Sequence, residues 1–189
     1  MTPGAFIGQS FRDPAGTARA LMGVGLSRGT LYSMMALVTV MSVLLLELGN
    51  ALSPAGSAIL RLAPFTLCVI LGASLIMMVF ALQLTGQMLG GQGRFAAALL
   101  LVIWWQAMAL VIQAAQTLAV LILPPLAGLL TIAGLAWLVF ALLHFVNVLH
   151  GFDSLPKALA TVVIGVVGIS FGLALLLTLI GVTLQGGTP

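Results

Sequence analysis

From Thr30 onward the chain is a series of long, uninterrupted apolar runs separated by short clusters of Gly, Pro, Asn, Ser or charge. A helix crosses the roughly 30 Å hydrocarbon core of a bilayer with about 20 mostly apolar residues. Inside lipid every backbone N–H and C=O must pair within the protein, so only helices or a closed barrel can span. Barrel strands alternate apolar and polar positions over about ten residues, whereas these runs are continuous and rich in Leu, Ala, Val and Ile. The pattern predicts an all-α, polytopic membrane helical bundle with five transmembrane helices, at about 30–52, 62–86, 95–123, 126–150 and 156–184. The apolar stretch 96–149 is too long for one span, and Pro124-Pro125 divides it, because proline supplies no helical N–H and clashes with the preceding turn. A transmembrane domain over 30–185 is thus preceded by a mixed segment, 1–29, and followed by a short tail, 186–189.

Within the first segment, Asp13-Pro14 has the form of an N-cap followed by a first helical residue. Arg12 and Arg19 share one face and Ala18, Leu21 and Met22 another, which predicts a short interfacial helix. The polar stretch before the first run is longer than the n-region of a cleaved signal peptide, so that run is expected to be a permanent signal anchor. Orientation follows from the bias of Lys and Arg toward the cytoplasmic side. Arg12, Arg19, Arg28, Arg94 and Lys157 fall on the side of the N-terminus and only Arg61 on the other. The expected topology is N-in and C-out, in a bacterial inner membrane.

Composition narrows the function. Only nine of 189 residues are Asp, Glu, Lys or Arg, 62% are hydrophobic, and the mean hydropathy is +1.30, which leaves no room for a soluble catalytic domain. The net charge of +3 suits anionic lipid headgroups but gives no clustered basic face for nucleic acid. The single Cys68 excludes an intrachain disulfide and reads as a small buried hydrophobe.

Few residues carry chemistry. Glu47 is the only acid inside an apolar run. An intramembrane carboxylate is a functional candidate by default, but the simpler reading is an interfacial pair with Arg61 across the first hairpin. Gln106, Gln113 and Gln116, with Thr117, form a polar stripe on the third span; such groups turn inward to bond neighbouring helices, or line a groove for a polar ligand or quinone. Gly165, Gly168 and Gly172 form a smooth helix-packing face on the fifth span. Trp104, Trp105 and Trp137 lie too deep for an interfacial belt and read as packing or lipid-facing residues. His144 and His150 are six apart on the fourth span and point to different faces, which argues against a shared metal. A His at a helix C-terminus is also favoured by the macrodipole. The run Gly90-Gly91-Gln92-Gly93 lacks the Lys-Ser/Thr of a phosphate loop and reads as a flexible turn. No nucleophile–base pair, paired carboxylates or metal cluster can be named, so no enzyme and no cofactor is expected.

The links between spans carry a resemblance. Leu89-Gly90-Gly91-Gln92-Gly93-Arg94-Phe95 opens the third span, and His150-Gly151-Phe152-Asp153-Ser154-Leu155-Pro156-Lys157-Ala158 opens the fifth. With Asp13-Pro14 ahead of five spans, the chain from about Phe11 resembles the Yip1 family in a compact bacterial form. The resemblance is to eukaryotic five-span proteins of early secretory membranes that interact with prenylated Rab GTPases and with partner family members and influence vesicle formation and membrane shape. The long cytosolic N-terminal domain of those proteins is not expected here, and neither is a GTPase role. The resemblance implies a fold, a topology and a non-enzymatic membrane role. The expected function is a membrane-protein adaptor, accessory subunit or membrane organiser. Its partners are membrane lipids and other integral membrane proteins, not nucleic acid. The contact candidates are the N-terminal segment, Arg94, His150, Asp153 and Lys157. The rivals are a small transporter or channel subunit using Glu47 and the Gln stripe, and an accessory subunit of a respiratory or photosynthetic complex.

Overall fold

The computed structural model describes residues 3–52 and 62–179 and carries no strand among them. Two short helices, α1 (Pro3–Arg12) and α2 (Pro14–Met22), precede five long ones: α3 (Arg28–Leu52), α4 (Pro64–Met88), α5 (Phe95–Ile122), α6 (Pro124–His150) and α7 (Leu155–Leu179). All five long helices are apolar and long enough to cross a bilayer. At a rise of about 1.5 Å per residue, each exceeds the hydrocarbon thickness. Arg61, and with it the expected Glu47–Arg61 pair, lies outside the described residues, as do the end of the fifth span and the tail.

Helix α5 is the axis of the bundle and packs on α3, α4, α6 and α2. Its residues Ala98 to Ile103 are buried on every side. Helix α7 sits at the edge against α4 and α6. Leu129, Ile132 and Leu135 of α6 and Leu159, Val163, Val167 and Phe171 of α7 point outward, as lipid-facing side chains do. A single residue, Leu123, joins α5 to α6 ahead of the double proline.

The first segment forms two helices, where one was expected, and they are packed into the bundle. Asp13 caps α2, its Oδ1 accepting from the Gly16 amide at 2.8 Å, and Pro14 occupies the first turn. Pro14, Thr17, Ala18 and Leu21 are buried, and α2 lies against α6 and α5. The tryptophans explain this docking. Trp104 Nε1 donates to Ser10 Oγ at 3.1 Å and Trp137 Nε1 donates to the Phe11 carbonyl at 3.2 Å. The Trp104 ring stands edge-on to Phe6 at 5.1 Å and Trp137 lies 4.4 Å from Phe11. Trp105 Nε1 donates to the Leu138 carbonyl at 2.9 Å and ties α5 to α6. All three indoles are therefore packing residues with a bonded N–H, each keeping part of its ring exposed.

Small residues decide how closely helices approach. Gly165 is buried against Ala81, Leu82 and Thr85 of α4, and Gly172 meets Met77. The Thr85 hydroxyl is shared between the Ala81 carbonyl of its own helix at 2.6 Å and the Thr161 carbonyl across the same seam at 3.2 Å. Gly168 is exposed with open space around it, so it does not belong to the packed face expected of the three glycines; that face is Ala158, Thr161, Gly165 and Gly172. Gly134 of α6 is held directly against Ile112 of α5. Overpacking such a seam costs about 1–3 kcal/mol. Gly134→Leu and Gly165→Leu should each lower the thermal midpoint of the purified protein, while Gly168→Leu should leave it unchanged within error in a detergent melt.

Candidate functional site

Two links meet at one end of the bundle. Helix α4 ends through Gly90, whose φ of 87° lies in the left-handed region, and the Gly91 amide bonds back to the Gly86 carbonyl at 2.8 Å. Helix α6 ends at Gly151, whose φ of 62° again suits a residue without Cβ. The Phe152 amide donates to the Asn147 carbonyl at 3.2 Å, and Asn147 Oδ1 accepts from the Ser154 amide at 3.2 Å. Asp153 has a φ of 49°, a conformation that Asp tolerates better than most residues.

His150 joins these links. Its carbonyl accepts from the Gln92 amide at 3.3 Å, its Nδ1 accepts from the Gly93 amide at 3.2 Å, and its Nε2 donates to the Leu82 carbonyl at 3.1 Å. Because an amide N–H can only donate and a carbonyl only accept, these two ring bonds fix the Nε2–H tautomer. Phe152 stacks on the ring, with centroids 5.1 Å apart and planes at 20°. A Cβ at Gly86, Gly91 or Gly93 would collide with the imidazole or, at Gly93, also with Leu149. The three glycines therefore form a cradle shaped to the ring. Gln87 Nε2 adds a bond to the Gly93 carbonyl at 3.1 Å. The Gly90–Gly93 run, expected to be a flexible turn, is instead held at both ends and in its middle.

This arrangement redistributes the expected contact residues. Arg94, Asp153 and Lys157 are exposed around the joined links. His150 is only 2% exposed, so it is not itself a contact surface; its ring holds the two links together. Arg12 and Arg19 are exposed on α1 and α2. His144 is separate from this site: its Nδ1 donates to the Phe140 carbonyl one turn back at 2.9 Å. No group of three His, Cys, Asp or Glu stands close enough to hold a metal among the described residues.

The glutamine stripe is divided between two uses. Gln106 Nε2 donates to Ser42 Oγ of α3 at 2.9 Å, and Gln116 Nε2 reaches the Leu130 carbonyl of α6 at 3.4 Å. Gln113 lines a cleft of about 240 Å³ with Asn50, Gln116 and Thr117, between α3 and α5 at the end away from the links. Glu47 is half-buried on α3 one turn earlier.

The imidazole cradle is the feature that the sequence did not disclose. Its available signal was the set Gly86, Gly91 and Gly93 at the mouth of a span, with a His at the mouth of another, yet only tertiary contact pairs them. His150→Ala should leave the buried Gly93 amide unbonded and cost about 3 kcal/mol, combining that loss with a cavity. Gly86→Ala should be destabilising beside the native ring and nearly harmless in the His150→Ala background. A double-mutant cycle on thermal midpoints should return a coupling of about 0.5–3 kcal/mol; strict additivity would contradict the cradle.

The model of the Yip1 domain matches residues 8–176, most of the chain. No protein of curated function and no solved structure matches it. Both links, α2, the second half of α1 and nearly the whole five-helix bundle fall within the matched range. The chain belongs to the Yip1 family, as a multi-pass integral membrane protein.

Proposed function

We propose that this protein is a non-enzymatic membrane adaptor that presents a rigid, basic face to other integral membrane proteins. The carrying observation is the His150 clamp, which fixes two separate links into one surface and leaves Arg94, Asp153 and Lys157 exposed around it. Close packing of a ring against backbone, with each polar ring atom bonded, is what a preorganised binding surface requires. The excess of Lys and Arg at this end supports a cytoplasmic position for it and for the N-terminus. Ser42, Gln106, Gln116, Trp105 and His150 are bonded between helices or between helix and loop, which supports a structural rather than a catalytic use for them.

Tagged protein recovered from its native membranes in mild detergent should bring down a stoichiometric integral membrane partner. Arg94→Ala combined with Lys157→Ala should weaken that recovery at least tenfold without lowering the thermal midpoint. Unchanged recovery would contradict the assignment of the surface, and recovery of the protein alone would contradict the adaptor reading. In a Cys68→Ala background, Ser154→Cys should react with a membrane-impermeant maleimide only from the cytoplasmic face.

The amide-lined cleft near Gln113 and the half-buried Glu47 favour a second reading, a small transporter or channel subunit. It requires solute flux in proteoliposomes that Glu47→Gln abolishes.

A further inference from the structure

The seam between α3 and α5 opens, at the end where the links meet, into a cleft of about 430 Å³ lined by Arg28, Leu31, Tyr32, Arg94, Phe95 and Leu99, with Ala96 at its edge. Two of the six Lys and Arg residues of the chain thus share one cavity. The three carboxylates of the chain lie elsewhere in sequence: Asp13 caps α2, Asp153 sits in the α6–α7 link, and Glu47 is 19 residues along α3 from Arg28. At about 1.5 Å per residue, Glu47 is nearly 30 Å away along the helix. Neither guanidinium forms an ion pair among the described residues. Below the arginines the wall is apolar, and Tyr32 and Ala96 are exposed at the rim. The first-turn amides of α5 have no side-chain cap on the same side, which adds a positive field to the two charges.

We infer that this cleft binds one anionic glycerophospholipid, with the phosphate between Arg28 and Arg94 and the upper acyl chain against Tyr32 and Phe95. Charge selects the anionic headgroup. The guanidinium fork matches phosphate oxygens in two-point hydrogen bonding, which a lysine would not do as well. The accessible apolar lining, Tyr32, Phe95 and Ala96 over the buried Leu31 and Leu99, selects a lipid over a free phosphate ion, which would leave Tyr32, Phe95 and Ala96 uncovered. The cleft opens between two spanning helices, so a lipid reaches it laterally from the bilayer. This inference rests on the membrane location of the chain and not on the adaptor reading, and either can fail without the other.

The test uses the purified full-length protein in mixed micelles, with native mass spectrometry counting retained phosphatidylglycerol against phosphatidylcholine. Wild type should retain one phosphatidylglycerol with at least a tenfold preference. Arg28→Gln with Arg94→Gln should abolish the preference. Arg19→Gln with Lys157→Gln removes the same charge and should keep it. Ala96→Trp fills the cleft while leaving both arginines, so it should also lose the lipid, and it answers the question should the arginine pair fail to fold. The inference is overturned by equal retention of the two lipids in wild type, by equal loss in the two charge-removing pairs, or by full retention in Ala96→Trp. Competition by soluble glycerol phosphate at the same concentration as the lipid would also overturn it, because the ligand would then be a free phosphate.

Discussion

The imidazole of His150, seated in a cradle of three glycines, is the contact on which the end of the bundle where the links meet depends. Remove it and the Gly93 amide of the α4–α5 loop loses its partner, leaving the Gln92 amide's bond to the residue 150 carbonyl as the remaining hydrogen bond between that loop and the end of α6. The cradle also sets the distance between α4 and α6, because Gly86 belongs to the last turn of α4 and His150 to that of α6. Lipid offers no hydrophobic drive for helices to associate, so packing and sparse polar bonds set their arrangement. A buried ring bonded at both nitrogens and in close contact with backbone combines the two at one point.

The rest of the bundle repeats that logic with other residues. Thr85 bonds the Thr161 carbonyl beside Gly165, Gln106 bonds Ser42, and Trp105 bonds the Leu138 carbonyl. Each cross-link fastens one spanning helix to another across a largely apolar seam, and Gln116 adds a second between α5 and α6. The N-terminal helices follow suit, since Trp104 and Trp137 reach out from α5 and α6 to the α1–α2 junction. A segment that composition alone would leave on the bilayer surface is thereby fastened to the core. The described basic residues then fall into two groups: Arg28 and Arg94 share a cleft, whereas Arg12, Arg19 and Lys157 are exposed on other elements.

The sequence by itself determined the class, the count of spanning helices and their approximate places. Those properties follow from the solvent: about 20 apolar residues in a row can only be a span, and the double proline can only be a break. It also determined the N-cap at Asp13, which is a local matter of one side chain and the amide three residues on. What it could not determine is which polar group faces which. Gly168 and Gly165 are equivalent as letters, yet one faces open space and the other meets α4. His150 is a helix-terminal histidine in sequence and a buried clamp in the fold, and Gly91 is a turn residue in one and a wall of its cradle in the other. Arg28 and Arg94 lie 66 positions apart and line one cleft only because α3 and α5 pack with their first turns together. Only the tertiary structure decided these pairings, because periodicity places a residue on its own helix and says nothing of the helix it will meet.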